Sequence, residues 1–267
     1  MGKHILMKGD CLIKVKEIQD NSIHLCVTSP PYHTAKNYSA GVGNMGASAD
    51  YLSYLDNMGK VIKELYRVLK QEGVVCWNTS PVVCGETRHY IPYDTHNLFL
   101  KEGFVCEEIV YWVKPDGAGK LRVGGWWQNG GRPTTYHSNA VVETIGIYKK
   151  PGKRETKEFE NIKTHYPDGI PKDLLTDAWK FNPDTTCKFH PATYPKELVK
   201  RCILLYSYPG DTILDTYLGS GTTMLVAREL NRNSIGIELS DEYYKKAKQK
   251  IGFYQKPLFG EIIYEEK

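Results

Sequence analysis

Between residues 194 and 251 the chain switches repeatedly between helical and extended patterns. YPKELVKRCILLYSY (194–208) spaces its apolar residues for a helix, DTILDTYL (211–218) reads as a strand, TTMLVARELN (222–231) as a helix and NSIGIE (233–238) as a strand. SDEYYKKAKQKI (240–251) reads as a helix capped by Ser240. The first half alternates too. SIHLCVTS (22–29) reads as a buried strand, DYLSYLDNMGKVIKELYRVLK (50–70) as a helix stopped by Gly73, and VVCWNTS (74–80) as a strand. YDTHNLFLKEG (93–103) reads as a short helix, FVCEEIVYWV (104–113) and VVETIGIYK (141–149) as further strands. Strands that alternate with helices build an α/β fold, a mainly parallel sheet with helices on both faces.

Two stretches break the alternation. Residues 114–137 are rich in glycine and carry Lys114, Lys120, Arg122 and Arg132, while residues 149–192 open with KKPGKRETK and lack periodicity. Loops this long inside a domain are usually functional or disordered. The 267 residues allow one large α/β domain with an insertion, or two small ones. No run approaches the roughly 18 apolar residues of a membrane span. The apolar stretch of MGKHILMKGD is too short for a secretory signal, so the expected address is cytoplasmic. The seven cysteines include no CxxC pair, which favours buried thiols over disulfides or zinc, and no metal site is expected. A net charge of +4 permits nucleic-acid binding without demanding it.

ILDTYLGSGTT (213–223) combines a strand, a glycine-rich turn and a helix start. Gly219 and Gly221 let a ligand approach the backbone. Glu238 follows Asp215 by 23 residues, at the end of the next strand, where nucleotide-binding βαβ units carry an acceptor for ribose hydroxyls. Met224 occupies the place of a third glycine, and no Gly-Lys-Ser/Thr follows. Without phosphate-binding features, the pattern suits a nucleoside ligand such as S-adenosylmethionine. The first strand ends differently, in Ser29-Pro30-Pro31-Tyr32. Proline donates no ladder hydrogen bond, and two fixed φ angles make a stiff corner able to hold a reacting group still.

TSPPY (28–32) resembles the catalytic motif of the DNA amino-methyltransferases, and DTYLGSGTT their cofactor motif, usually written with Asp-Pro-Phe where this chain has Asp215-Thr216-Tyr217. HPATYPKELVKRCI (190–203), KGDC (8–11), RVLKQEG (67–73) and IGIYKK (145–150) are similar in kind and order. Catalytic motif first and cofactor motif last resembles the permuted β group of these enzymes, which act on cytosine N4 or adenine N6. The resemblance implies a Rossmann-like methyltransferase fold divided into a catalytic half (1–113), a strand plus target-recognition insert (114–189) and a cofactor half (190–267). It implies S-adenosyl-L-methionine as cofactor and double-stranded DNA with a flipped base as partner. A homodimer and a cognate restriction endonuclease are further possible partners.

The expected catalytic residues are Ser29, Pro30, Pro31 and Tyr32. An exocyclic amine is a poor nucleophile because its lone pair is delocalised into the ring. Acceptors that hold its protons draw the nitrogen toward sp³ character, and the Ser29 hydroxyl and Pro30 carbonyl suit that task. Tyr32 offers a ring to stack on the base. Ser29, where most adenine-N6 enzymes of the family have Asp, favours cytosine N4, with adenine N6 as the alternative. No Pro-Cys dipeptide occurs, which argues against cytosine-C5 chemistry. An amide N-methyltransferase usually has the opposite motif order and Asn at the first position, and intact motifs argue against a non-catalytic DNA-binding protein.

The expected cofactor residues are Asp10, Asp215, Tyr217, Gly219, Ser220, Gly221, Thr222, Thr223 and Glu238. Asp10 reads equally as a helix N-cap, Tyr217 as pocket lining or core, and Thr222 and Thr223 as ligand contacts or helix caps. Lys120, Arg122, Trp126 and Arg132 are the expected DNA contacts, with a dimer interface as the other reading of that insert. Residues 33–50 read as a lid or a surface loop. Trp77 reads as core, Trp112 and Lys114 as shapers of the base pocket or ordinary surface, and His190 as close to the cofactor or structural. The basic run 149–154 binds phosphate or is a solvated loop.

Overall fold

The computed structural model describes residues 2–33, 50–84, 87–115, 141–153, 170–183, 194–252 and 263–266. Lys120, Arg122, Trp126, Arg132, His190 and nearly all of the 33–50 segment lie outside them.

Eleven strands occur among the described residues: β1 (Lys3–Lys8), β2 (Ile23–Thr28), β3 (Leu69–Thr79), β4 (Val82–Cys84), β5 (Thr87–His89), β6 (Val105–Val113), β7 (Val142–Lys149), β8 (Ala178–Lys180), β9 (Thr212–Asp215), β10 (Asn233–Glu238) and β11 (Ile263–Glu266). The helices are α1 (Cys11–Lys14), α2 (Tyr51–Val68), α3 (Ile91–Glu102), α4 (Lys196–Tyr206), α5 (Thr222–Glu229) and α6 (Asp241–Lys250). Nine strands form one sheet in the order β11-β1-β10-β9-β2-β3-β7-β6-β8, and β4 and β5 form a separate hairpin. Within the nine-stranded sheet only β7 runs antiparallel to its neighbours, β3 and β6.

Both faces of the sheet are buried, and the strand sequences show why. In β2, Ile23 and Cys26 pack with α2 and α3 residues such as Met58, Leu65 and Phe99. Leu25 and Val27 pack on the other face with Val199, Cys202 and Ile203 of α4 and Val226 of α5. A strand buried on both sides reads as a continuous apolar run. Trp77 is in the core as expected, edge-on to Phe99 at 5.3 Å between ring centroids. Cys26 and Cys76 are buried free thiols. No described helix is long and apolar enough to cross a membrane.

Three local readings change. Gly73 does not stop α2. The helix ends at Val68, and Leu69 turns directly into β3. Gly73 lies in the irregular start of β3, where the register to β2 jumps from Ile23↔Leu69 to Leu25↔Val74. A Cβ there would sit 2.8 Å from the Lys70 carbonyl. The strand expected over 211–218 ends at Asp215, because Asp215 begins the turn. The first two lysines of the basic run are tied to the protein rather than lying loose. Lys149 pairs with Glu107 at 2.7 Å, and Lys150 donates to the Tyr66 and Leu69 carbonyls at the C-terminus of α2, at 2.7 and 2.8 Å. A cation there complements the helix dipole.

The parallel register puts Leu25 beside Ile213 and Cys26 beside Leu214, so β2 and β9 are neighbours. From β2 the chain crosses by α2 to β3 on one side. From β9 it crosses by α5 to β10 on the other. The strand order therefore reverses between β2 and β9, and open α/β sheets bind ligands outside the carboxyl ends of strands at such a switch point.

Candidate active site

The tips of β2 and β9, 187 positions apart in sequence, are joined through Thr28: its hydroxyl donates to Asp215 Oδ1 at 2.7 Å and lies 3.3 Å from the Thr216 hydroxyl. Thr28 and Asp215 are fully buried. Asp215 also accepts from the Tyr217 N–H (3.1 Å) and from the Tyr194 (2.7 Å) and Thr223 (2.6 Å) hydroxyls. Burial pushes its carboxyl above the usual range, while these donors pull it back. Four donors occupy an acid with about four lone-pair sites. Asp215 thus knots β2, the glycine turn and the start of α5 together.

The hydroxyls of the glycine turn are likewise held inside. Lys250 donates to the Thr222 and Ser220 hydroxyls at 2.8 and 3.2 Å, and Thr223 is held by Asp215. The turn therefore offers its backbone. Gly219 (φ +54°) and Gly221 (φ +83°) adopt left-handed conformations. A Cβ on Gly221 would sit 3.1 Å from Ala247 Cβ, so that glycine also lets α6 pack against the turn. Glu238 closes the other side. Its Oε2 accepts the Gly219 N–H and its Oε1 the Ser240 N–H, both at 2.7 Å. Burial pushes its pKa up to about 7 against those bonds and the Lys8 charge. Each oxygen keeps a further lone pair. Asp10 stands at the neighbouring tip of β1 and caps α1 by accepting from the Leu12 N–H at 2.8 Å. Tyr217 packs at the edge of the core beside α1, and burial raises its phenol far above the usual range.

Beyond β2, Ser29 is half-buried and Tyr32 buried. The corner is fixed on its far side by His33, whose φ of +43° is unusual for a non-glycine residue. The His33 N–H donates back to the Pro31 carbonyl at 3.1 Å. Its ring meets Tyr51 and Tyr54 of α2 and His89 of β5 edge-on, at 5.6, 5.5 and 5.9 Å.

A polar network centred on Glu143, a residue the sequence did not single out, lies over the corner and takes in Lys114, one of the expected shapers of the base pocket. The Tyr32 hydroxyl is 3.1 Å from Ser29 Oγ, 3.0 Å from Glu143 Oε2 and 3.3 Å from the Asn78 carbonyl. The Asn78 amide donates to Glu143 Oε2 at 2.7 Å and to the Tyr32 oxygen at 3.1 Å. Lys114 pairs with Glu143 Oε1 at 2.6 Å and lies 4.9 Å from the Trp112 ring centroid. Asn78 is the penultimate residue of β3 and Glu143 the second of the antiparallel β7, so both lie at the carboxyl edge. Glu143 was readable only as an isolated acid near the start of the apolar run VVETIGIY. Thr28 and Tyr194 carried no signal of their own.

An open α/β sheet with a glycine turn, a buried acid and a proline-stiffened corner at one switch point defines a Rossmann-like group transferase with a nucleoside cofactor. The family model for N6- and N4-type DNA methylase matches residues 23–249, and the chain belongs to that family. The type II methyltransferase M.MjaI of Methanocaldococcus jannaschii is 28% identical, with 96% of this chain and 93% of that protein covered. M.HpaI of Haemophilus parainfluenzae is also 28% identical, with 92% and 73% covered. The solved structure of TTHA0409 from Thermus thermophilus, a candidate DNA modification methylase, superposes with a TM-score of 0.71 at 25% identity over 99% of this chain and all of that one. It has also been solved with S-adenosyl-L-methionine. The cytosine-N4-specific PvuII methyltransferase shares the fold with a TM-score of 0.70 at 20% identity, over 97% and 89% of the two chains. The protein is an S-adenosylmethionine-dependent DNA methyltransferase of the N4/N6 family.

Proposed function

We propose that the enzyme methylates the exocyclic N4 amine of cytosine within a specific sequence of double-stranded DNA. Bound S-adenosylmethionine supplies a methyl group on a sulfonium centre. The Gly219–Gly221 backbone lies against it, Glu238 accepts from its ribose hydroxyls, and Asp10, Tyr217 and the buried Ser220, Thr222 and Thr223 shape the cradle around it. Asp215 acts by locking that cradle to β2. The target base leaves the duplex and lies against Tyr32, and the Ser29 hydroxyl and Pro30 carbonyl accept the protons of its amine. Pro30 and Pro31 keep those acceptors from following the base as it moves. A neutral amine so held would take the methyl group as the carbon–sulfur bond of the sulfonium breaks to a neutral thioether, and would shed one proton through its acceptors to water, with no covalent enzyme intermediate.

The observation that carries this reading is the Thr28–Asp215 bond, which brings the amine clamp and the nucleoside cradle to one switch point. Ser29 at the first clamp position supports cytosine. Adenine N6 remains the second reading, because a serine hydroxyl accepts equally well from either amine. One α/β domain with recognition residues in the 114–189 insert, among them Lys120, Arg122, Trp126 and Arg132, accommodates the duplex. The type II names of the relatives support a cognate restriction endonuclease. Exposed Leu52, Tyr90 and Tyr93 offer apolar surface for a homodimer, testable by light scattering. The enzyme works with the DNA in the cytoplasm.

The test is transfer of labelled methyl groups to DNA, followed by nucleoside digestion and mass spectrometry. N4-methylcytosine is the expected product. N6-methyladenine would favour the second reading, and label in neither would end both.

A further inference from the structure

We propose that Glu143 sets the direction of the hydrogen bonds at Ser29 and so restricts the target pocket to bases carrying an exocyclic amine. The proposal rests on the reading that Ser29 accepts from the target amine, and it adds the cause of that polarity.

Glu143, paired with Lys114 as a carboxylate, has no proton to give. A phenol has one. Among the described residues, two groups that only accept stand near the Tyr32 oxygen, Glu143 Oε2 at 3.0 Å and the Asn78 carbonyl at 3.3 Å. The carboxylate is the nearer of the two and charged, so it is the acceptor that holds the Tyr32 proton away from Ser29. The Asn78 amide gives one proton to Glu143 and the other to the Tyr32 oxygen. Tyr32 therefore meets Ser29 as an acceptor, and the 3.1 Å contact is a bond donated by Ser29. The one serine proton is thereby directed inward, and only lone pairs remain for a ligand. The long 3.5 Å approach of the Asn78 amide to Ser29 Oγ has the same sense.

An exocyclic amine brings protons to those lone pairs. A carbonyl oxygen in its place, as in the deaminated base, would meet them lone pair to lone pair, and sites built for one hydrogen-bonding partner reject its opposite strongly. Glutamine at position 143 keeps the size but can give a proton to Tyr32. The chain can then run in reverse, with Tyr32 donating to Ser29 and Ser29 donating outward. Phenylalanine at position 32 removes the inner acceptor and frees the serine proton directly.

The experiment uses the full chain, with DNA carrying either the methylatable base or its deaminated counterpart, uracil for cytosine or hypoxanthine for adenine. The ratio of the two dissociation constants measures amine preference, and mismatch effects cancel between variants. Wild type should prefer the amine. In Glu143→Gln the preference should fall by about tenfold and single-turnover transfer by about 100-fold, with S-adenosylmethionine affinity within about twofold. Tyr32→Phe should lose the same preference, and it decides alone if Glu143→Gln does not fold. An undiminished preference in either folded variant, or no preference in wild type, overturns the proposal. Ser29→Ala separates it from the reading beneath. Full transfer in Ser29→Ala removes the amine clamp itself and this proposal with it. Lost transfer there with preference intact in Glu143→Gln removes only the role of Glu143.

Discussion

Two buried acids at neighbouring strand tips do different work because their donors differ. Asp215 receives four protein donors and serves as a knot. Thr28→Val removes one of them and leaves a buried oxygen short of a partner, so stability should fall by about 1–3 kcal/mol, read from the denaturant midpoint. Transfer should slow as well, because the same bond aligns the two tips. Glu238 keeps acceptor capacity and titrates at about 7, raised chiefly by burial. Between the ordinary glutamate range and about 7, the folded protein holds a proton that the unfolded chain has released. This group's contribution to stability therefore falls as pH rises through that window and is level above it. A ribose hydroxyl needs the carboxylate form, so S-adenosylmethionine affinity should rise from pH 6 to pH 8. Calorimetry in buffers of different ionisation enthalpy should show a proton released on binding, and Glu238→Gln should abolish both effects. A flat affinity profile in wild type would remove Glu238 from the ribose.

Elements were legible where burial alone sets the pattern. The strands β2, β3, β6, β7 and β10 and the helices α2 to α6 stand close to where periodicity put them, because each buries one stripe or both faces in the core. The short pieces carried no periodic signal. β8 contributes three residues and α1 a single turn, held by sheet pairing and by the Asp10 cap rather than by pattern. Gly73 misled because glycine marks a bulge as readily as a helix end. The partners of Lys149 and Lys150 were not legible because charge patterning cannot show which carbonyls a lysine reaches. Lys150→Met should therefore cost about 1 kcal/mol by uncapping α2, seen as a lower melting temperature. It should leave the salt dependence of DNA binding unchanged. A reduced salt slope would return Lys150 to a phosphate-binding role.

At the scale of the whole molecule, the meeting of the two motifs was inferable and the polar network over them was not. Motif order and strand alternation imply a sheet whose order reverses between the catalytic and cofactor strands. That topology brings Thr28 to Asp215 whatever the chain separation. Glu143 joins Ser29, Tyr32 and Asn78 only because β7 runs backwards and presents its first residues at the carboxyl edge, and a lone acid in an apolar run does not announce its strand's direction. The same edge orientation bears on DNA binding. The strands β6 and β7 bracket residues 114–141, and the end of one and the start of the other lie at the edge that carries Ser29 and Glu143. The segment joining them therefore leaves and re-enters the sheet beside the proposed base pocket, which is where a duplex with one base turned out would rest. If Lys120, Arg122 and Arg132 neutralise phosphates there, their joint replacement by alanine removes up to three counterions from the exchange. The slope of log affinity against log salt should then shrink by up to about 2.7, while S-adenosylmethionine affinity stays unchanged. An unchanged slope in that triple variant, with transfer to DNA intact, would move the duplex to another face and leave the insert to a dimer contact.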